Sequence, residues 1–207
     1  MIVWIDTETT GLDPRKDSLL EIAVVITDDE LNEVATFDSL IKAPRRKFRR
    51  LDEFVTDLHT KSGLLADLKG ATKDARAVEA DIITFLDSVE APAKGLLLAG
   101  NSVHFDRGFL NEQMPNLMKR FGHQNLDVTS IAHCVRRWHT PVYQSLKEQS
   151  GEVVHRALND IRSSIRQLKW YREHSRHDSH HKRGKRVRLF PIQRHDSCRE
   201  VRVRYDS

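Results

Sequence analysis

The chain has 207 residues, of which 39% are hydrophobic and 31% charged, proportions typical of a folded domain large enough to bury a full core. It has no apolar run of the roughly 18 residues expected of a membrane-spanning helix, and its first residues lack the features of a signal peptide. Its two cysteines, Cys134 and Cys198, are too few for a disulfide framework, so we expect a cytoplasmic protein.

Positive charge is concentrated at the C-terminal end. Residues 175–207 contain 10 Lys and Arg against 4 Asp and Glu, whereas the rest of the chain contains 24 and 26. The isoelectric point near 9.1 therefore reflects the tail, and the weakly acidic body is not expected to bind long nucleic acid through bulk charge. We predict one domain at 1–174 and a basic, mostly disordered tail at 175–207, in which 200–205 alternates like a short strand.

The N-terminal part of the sequence predicts three strands. Apolar, β-branched runs occupy 2–6 and 19–27, and 33–41 has a looser strand-like pattern. Turn-forming residues separate them, which favours an antiparallel meander. The following segment, "PRRKFRR" at 44–50, places five basic residues around one Phe and is predicted to be a loop.

Helices and strands alternate in the rest of the sequence. Apolar residues at helical spacing, buried apolar runs and turn residues predict, in chain order, helices at 51–61 and 72–89, a strand at 95–101, a helix from about Phe105, a strand at 125–128, and helices near 129–138 and 157–172. Strands first, followed by strands alternating with helices, indicate an α/β fold with a mixed sheet and helices on its faces.

Two acids, Asp6 and Glu8, lie one residue apart at the end of the first predicted strand. Residues i and i+2 of a strand point to the same face, so these carboxylates would project side by side. Such oxygen ligands suit Mg²⁺ or Mn²⁺, and the sequence contains no zinc-type Cys/His cluster at standard spacing. A solvated strand end would contain the same pair, so these two residues alone leave both interpretations open.

Three more candidates fall at a strand end or a helix start. Asp106 follows the predicted strand at 95–101, Asp160 lies in the first turns of the last helix, and His155 lies just ahead of that helix. Each alone is also explained as a surface residue or a helix-dipole partner. Together with the first pair they are what a two-metal phosphodiester hydrolase requires, in which cations about 3.5–4 Å apart clamp the attacking and leaving oxygens.

These motifs resemble the DEDDh group of 3′-to-5′ exonucleases, a ribonuclease-H-like family. "DTETTG", "FD" and a His and Asp with four residues between them match its pattern. The blocks "LHTKSGLL", "GNSVHFDRGFL", "LDVTSIAHCVRRW" and "HRALNDIRSSIRQLKWYREH" are most similar to oligoribonucleases, and the similarity spans roughly residues 2–174. The resemblance implies a ribonuclease-H-like mixed sheet flanked by helices, and hydrolysis of very short RNAs by a homodimer that uses two Mg²⁺ or Mn²⁺ ions.

The resemblance also implies roles for individual residues. The metal-binding acids would be Asp6, Glu8, Asp106 and Asp160, with His155 as the general base. Substrate contacts would come from Leu12, which wedges against the bases, from His59, and from Ser102 and Thr129, which would contact the 5′ phosphate from the two subunits.

The sequence departs from the family just before "LDV". Typical oligoribonucleases read "HYRYLDV", whereas this chain reads "GHQNLDV" and so has His123 at the Tyr position and Gln124 at the Arg position. The family's Arg binds the 5′ phosphate across the dimer, a charge-assisted contact that neutral Gln cannot replace. "HFD" in place of "GQD" is also closer to proofreading exonucleases. Two alternatives therefore stay open: a proofreading- or repair-type exonuclease acting on single-stranded DNA, and a non-catalytic nucleic-acid-binding module.

Overall fold

The computed structural model describes residues 1–49, 51–149 and 155–174. Its strands are β1 (Ile2–Thr9), β2 (Leu19–Thr27), β3 (Glu33–Leu40), β4 (Leu96–Gly100) and β5 (Phe121–Asp127). They form a sheet in the order β3-β2-β1-β4-β5. The first three strands pair antiparallel, and β4 pairs parallel with both β1 and β5. The prediction of an antiparallel meander followed by parallel strands is confirmed.

Helices cover the sheet. Those within the described ranges are α1 (Arg45–Phe48), α2 (Glu53–Lys61), α3 (Leu64–Asp67), α4 (Ala75–Ser88), α5 (His104–Gln113), α6 (Pro115–Met118), α7 (Val128–Trp138), α8 (Thr140–Gln149) and α9 (Ala157–His174). A 3₁₀ turn at Leu68–Gly70 follows α3. In the described part of the chain no helix is both long and apolar enough to cross a membrane.

Two local predictions were wrong. The basic segment predicted as a loop forms the helical turn α1, which follows Pro44, because the carbonyl of Pro44 accepts a hydrogen bond from the backbone N of Lys47 at 2.9 Å. The strand predicted at 125–128 begins earlier, at Phe121, because that residue pairs with Leu96 of β4. Its exposed polar positions show no strand pattern in sequence. The predictions for 175–207 and 200–205 lie outside the described residues.

The two sides of β1 pack against different helices. Because side chains alternate between these sides along the strand, the packing determines where its acids point. Val3 and Ile5 lie in a core cluster with residues of α4 and α5. Trp4 lies in the other cluster, together with Ile161 and Ile165 of α9. Side chains two residues apart share a face of a strand. The even-numbered positions beyond Trp4 therefore continue on the side that α9 covers.

Candidate active site

The acids of β1 meet the first turn of α9. Asp6 and Glu8 follow Trp4 on the α9 side of β1, and Asp160 lies in the first turn of that helix. Carboxylate oxygens of these three residues all lie within 4.8 Å of one another. Packing of Trp4 against Ile161 in one core cluster holds the strand end and the helix start together. The three acids thus form a compact oxygen-lined cluster.

Asp106 approaches this cluster from the first turn of α5. It is only 3% exposed, and its Oδ1 accepts a hydrogen bond of 2.7 Å from the hydroxyl of Thr7. Thr7 lies between Asp6 and Glu8 on β1 and points to the other face. Asp106 is outside the 4.8 Å triad, but its charge raises the pKa of Asp6. It is therefore a fourth acid in the same electrostatic environment.

Burial and mutual repulsion make this cluster costly to ionise. Burial, followed by the charges of Asp106 and Glu8, raises the pKa of Asp6 well above its usual range. Burial and the charge of Asp160 raise the pKa of Glu8 to about 8. Burial raises the pKa of Asp160 to about 6, and it also raises that of Asp106. Arg156 opposes the shift at Glu8.

This donor set fits a divalent cation. Carboxylates that repel one another in a poorly hydrated site are stabilised by a bound cation, which is itself a large local charge. Hard divalent cations prefer oxygen ligands of this kind. Asp6, Glu8 and Asp160 supply those oxygens at mutual distances within 4.8 Å, so the cluster is suited to metal binding.

His155 lies two residues before the start of α9 and is exposed. Its positive form lowers the pKa of Asp160, so the imidazole lies within electrostatic reach of the cluster. An exposed histidine beside a buried carboxylate group can exchange protons with solvent while it faces the site. The structure therefore places His155 at the solvent side of the acids.

Glu21 is a residue of the site that the sequence analysis missed. It lies in β2 directly opposite Glu8 and is 5% exposed. Its Oε1 accepts from Nη2 and Nε of Arg156 at 2.7 and 3.0 Å, and its Oε2 accepts from the backbone N of Ala157 at 3.0 Å. Arg156 also binds Asp67 at 2.8 Å. The sequence feature that could have indicated a role for Glu21 is its position as a lone glutamate within the apolar run "LLEIAVVIT".

Comparison with known proteins identifies the family. An exonuclease family matches residues 3–168. The oligoribonuclease of Streptomyces coelicolor is 43% identical over 174 residues, covering 83% of this chain and 85% of that protein. The oligoribonuclease of Acinetobacter baylyi is 40% identical over 174 residues, covering 84% and 93%. The chain belongs to the oligoribonuclease family. It is accordingly a hydrolytic nuclease that acts on phosphodiester bonds.

Solved structures show the same fold at lower identity. Exonuclease I of E. coli in complex with a 5cy-dT13 oligonucleotide superposes with a TM-score of 0.64 at 13% identity, covering 84% of this chain. Exonuclease I of Methylocaldum szegediense gives a TM-score of 0.59 at 19% identity, covering 85%. The oligoribonuclease-family chain spans 41% of each of these longer enzymes, and they support the fold alone.

The two predicted substrate-binding residues from the first half of the chain, Leu12 and His59, differ in exposure. Leu12, in the connection from β1 to β2, is 82% exposed. His59 of α2 is 1% exposed. Its Nε2 lies 2.9 Å from the carbonyl of Thr9, and because a carbonyl only accepts, Nε2 carries the proton.

The other ring nitrogen of His59 faces the metal-binding cluster. Nδ1 lies 3.8 Å from Oε2 of Glu8 and is buried, with no hydrogen-bond partner among the described residues. An unpaired buried nitrogen beside a carboxylate is consistent with a site that a bound water or ion completes. His59 thus lies behind Glu8, in the wall of the site.

The other predicted substrate-binding residues lie in two separate places. Ser102 has a positive φ of 52°, and its backbone N donates to the hydroxyl of Thr129 at 2.9 Å. The two hydroxyls are 3.2 Å apart, so these residues form one polar group within a single chain. His123 and Gln124 are exposed on the edge strand β5. The backbone carbonyl of Gln124 accepts from Arg107 at 3.4 Å.

Proposed function

We propose that this protein is a 3′-to-5′ exoribonuclease that degrades short single-stranded oligoribonucleotides to 5′-mononucleotides. The observation that carries the proposal is the cluster of carboxylates from Asp6, Glu8 and Asp160, with oxygens within 4.8 Å of one another. Its relatives of 40–43% identity are named oligoribonucleases. Residues 1–174 form the catalytic domain in this proposal, and 175–207 a basic tail. The protein acts in the cytoplasm.

The acids hold the metal in this mechanism. Asp6, Glu8, Asp106 and Asp160 would bind two divalent cations, Mg²⁺ or Mn²⁺. Burial raises the pKa of each of these acids, and neighbouring carboxylates raise those of Asp6, Glu8 and Asp160 further, so bound cations would stabilise their ionised forms. When bound, the cations stabilise negative charge on the attacking and leaving oxygens of the phosphodiester. Arg156 is bound to Glu21, which fixes the start of α9 and with it Asp160.

His155 acts as the general base. A ring nitrogen of its imidazole takes a proton from the attacking water, whose oxygen forms a bond to phosphorus as the bond to the 3′ oxygen of the preceding nucleotide breaks. The leaving 3′ oxygen takes a proton from solvent and becomes the 3′ hydroxyl of the shortened chain, and the terminal nucleotide leaves with its phosphate at the 5′ position. Exposure of His155 lets the proton pass on to solvent before the next turnover.

Substrate is held by residues around this centre. Leu12 packs against the bases, and its 82% exposure leaves the side chain available for this. His59 supports the substrate side of Glu8 from α2. Ser102 and Thr129 bind the 5′ phosphate, with His123 and Gln124 contributing from β5. The functional unit is a homodimer, which light scattering on the purified protein would test.

A second candidate substrate is single-stranded DNA. Neutral Gln124 replaces the arginine with which related enzymes bind the 5′ phosphate of a short RNA. Comparing kcat/KM on a ribo-dinucleotide and on a DNA dodecamer, with Mg²⁺ and with Mn²⁺, separates the two substrates. A higher value on the ribo-dinucleotide is expected. A higher value on DNA would overturn the proposed RNA preference while leaving the exonuclease activity intact.

A further inference from the structure

The short helix α1 presents uncompensated positive charge. Arg45, Arg46 and Arg49 are exposed, and in the described ranges their side chains have no hydrogen bond or ion pair. No residue of α1 is buried. Phe48, in the same turn, is half-buried, so its ring is partly unavailable for stacking on a base. The three arginines are hereafter called the α1 arginines.

A direct contact joins α1 to the loop that follows the catalytic strand. Nζ of Lys47 donates to the backbone carbonyl of Lys16. Lys16 belongs to the 10–18 loop, which begins two residues after Glu8 and contains the exposed side chain of Leu12. The α1 arginines are therefore held beside the loop that borders the proposed active site.

The 10–18 loop is ordered by its own hydrogen bonds. The backbone N of Thr10 donates to the carbonyl of Ser18 at 2.9 Å. The carboxylate of Asp17 accepts from the backbone N of Asp13 at 2.9 Å and fills the space beside Gly11, where a Cβ would lie 2.5 Å from Oδ2. An ordered loop gives α1 a defined position relative to the acids of β1.

Charge on the loop itself is already paired, unlike that on α1. Nζ of Lys16 lies 2.9 Å from Oδ2 of Asp13, and Nε of Arg15 lies 3.7 Å from Oε1 of Glu112. The positive charge at this border that no acid pairs therefore comes from the α1 arginines and from Lys47, whose Nζ binds a neutral carbonyl. Guanidinium groups bind phosphate oxygens well because their donors match the geometry of a phosphate.

We propose that the α1 arginines bind backbone phosphates of a single-stranded RNA whose 3′ end lies at the carboxylate cluster. This inference rests on the proposed function and extends its substrate range. A dinucleotide has one internucleotide phosphate, and that phosphate lies at the carboxylate cluster. The α1 arginines therefore add little to the affinity for a dinucleotide. An RNA of six or seven nucleotides has further phosphates that reach this surface, and it binds more tightly for that reason.

The test compares two RNA lengths in a charge-removal variant. In Arg45→Ala/Arg46→Ala/Arg49→Ala, kcat/KM on an RNA heptamer should fall about 10-fold at low salt, because charged phosphate contacts are lost. The log–log salt slope should become shallower by about 0.7 for each lost contact on a single strand. The value on a dinucleotide should stay within about twofold. A matched control, Arg76→Ala/Lys94→Ala/Arg166→Ala, removes three exposed cations elsewhere and should affect neither substrate.

Two results would overturn the inference. One is an unchanged heptamer value in the α1 variant, and the other is an equal loss on both substrates. Binding of a fluorescent heptamer is also measured in metal-free buffer, by fluorescence anisotropy at several salt concentrations. This measurement does not depend on catalysis. If the wild type does not hydrolyse RNA, the proposed function fails. The RNA-binding surface would still stand if the heptamer bound the wild type with a steeper salt slope than it bound the α1 variant.

Discussion

Glu21 and Glu8 lie directly opposite each other on neighbouring antiparallel strands, and both are almost fully buried. The two carboxylates have different partners. Glu21 binds Arg156 and the backbone N of Ala157, whereas Glu8 faces Asp160 and Asp6. One acid of the pair thus anchors the start of α9, and the other is available for metal.

This division predicts that Glu21 is a positioning residue. In Glu21→Gln the amide cannot accept from Arg156 and Ala157 as a carboxylate does, so the start of α9 should shift. We expect kcat to fall about 10–100-fold, the usual range for residues that orient metal ligands, with KM for the dinucleotide nearly unchanged. Steady-state kinetics at saturating Mn²⁺ measure this.

The matched control is Glu79→Gln. Glu79 is also a buried glutamate that accepts from backbone N atoms at a helix start, those of Asn116 and Leu117. Within the described ranges its hydrogen-bond partners include none of the proposed site residues. If both variants lost the same activity and the same melting temperature, the effect of Glu21 would be structural only.

Removing one acid of the cluster should abolish activity and raise the stability of the metal-free protein. In Asp6→Asn the metal-binding oxygen and the repelling charge are both lost, so hydrolysis should be undetectable while the metal-free protein melts higher. A gain of about 1 kcal/mol corresponds to roughly 2–4 °C for a domain of this size. Differential scanning calorimetry in EDTA measures the shift. Glu173→Gln, an exposed acid at the far end of α9, is the control and should change neither quantity.

The raised pKa values predict a pH dependence of metal-free stability. In the unfolded chain these carboxyls ionise near pH 4, whereas in the folded protein Asp160 ionises near 6 and Glu8 near 8. The folded state binds more protons between these values, so the free energy of unfolding contributed by the cluster falls as pH rises from about 4 to about 8.

Comparison with Asp6→Asn isolates this contribution from that of other titrating groups. As the pH rises from about 5 to about 8 in EDTA, the melting temperature of the wild type should fall by more than that of the variant, because fewer repelling charges form in the variant. Saturating Mg²⁺ should remove most of the difference. A wild-type protein whose melting temperature rises relative to the variant over this range would contradict the assigned repulsion.

His155 is predicted to serve the chemistry and not the metal. His155→Ala should lower kcat by about 10²–10⁴-fold, the usual contribution of a general base, while Mn²⁺ affinity measured by calorimetry stays unchanged. His133→Ala removes another exposed histidine, on α7, and should be neutral. Loss of Mn²⁺ binding in His155→Ala would instead indicate that the imidazole is a ligand.

The sequence predicted the sheet well where burial is two-sided. All nine residues of β2 are buried, and its apolar run stands out in the sequence. In β1 the period of two correctly predicted that Asp6 and Glu8 share a face. The edge strand β5 was only partly found because positions such as Gln124 are exposed and lack strand alternation. Pairing with β4 determines its extent, and pairing is not visible in a local pattern.

The sequence could not reveal the ion-pair network behind the site. Glu21 and Arg156 are 135 residues apart, and although Arg156 lies between His155 and Asp160, that motif does not indicate Glu21 as its partner. Their contact depends on α9 packing against β1 and β2. Likewise, the helical turn of α1 depends on Pro44 and on the contact of Lys47 with the 10–18 loop. Such long-range contacts arise only from the folded arrangement.

The central claim is that the acid cluster removes nucleotides from the 3′ end of short RNA. Product analysis of a 5′-labelled RNA heptamer with Mn²⁺ tests it most directly, with Asp160→Ala as the inactive control. We expect a series of products shortened one nucleotide at a time from the 3′ end, release of 5′-mononucleotides, and no turnover in the variant. Internal cleavage, or full activity in Asp160→Ala, would contradict the claim.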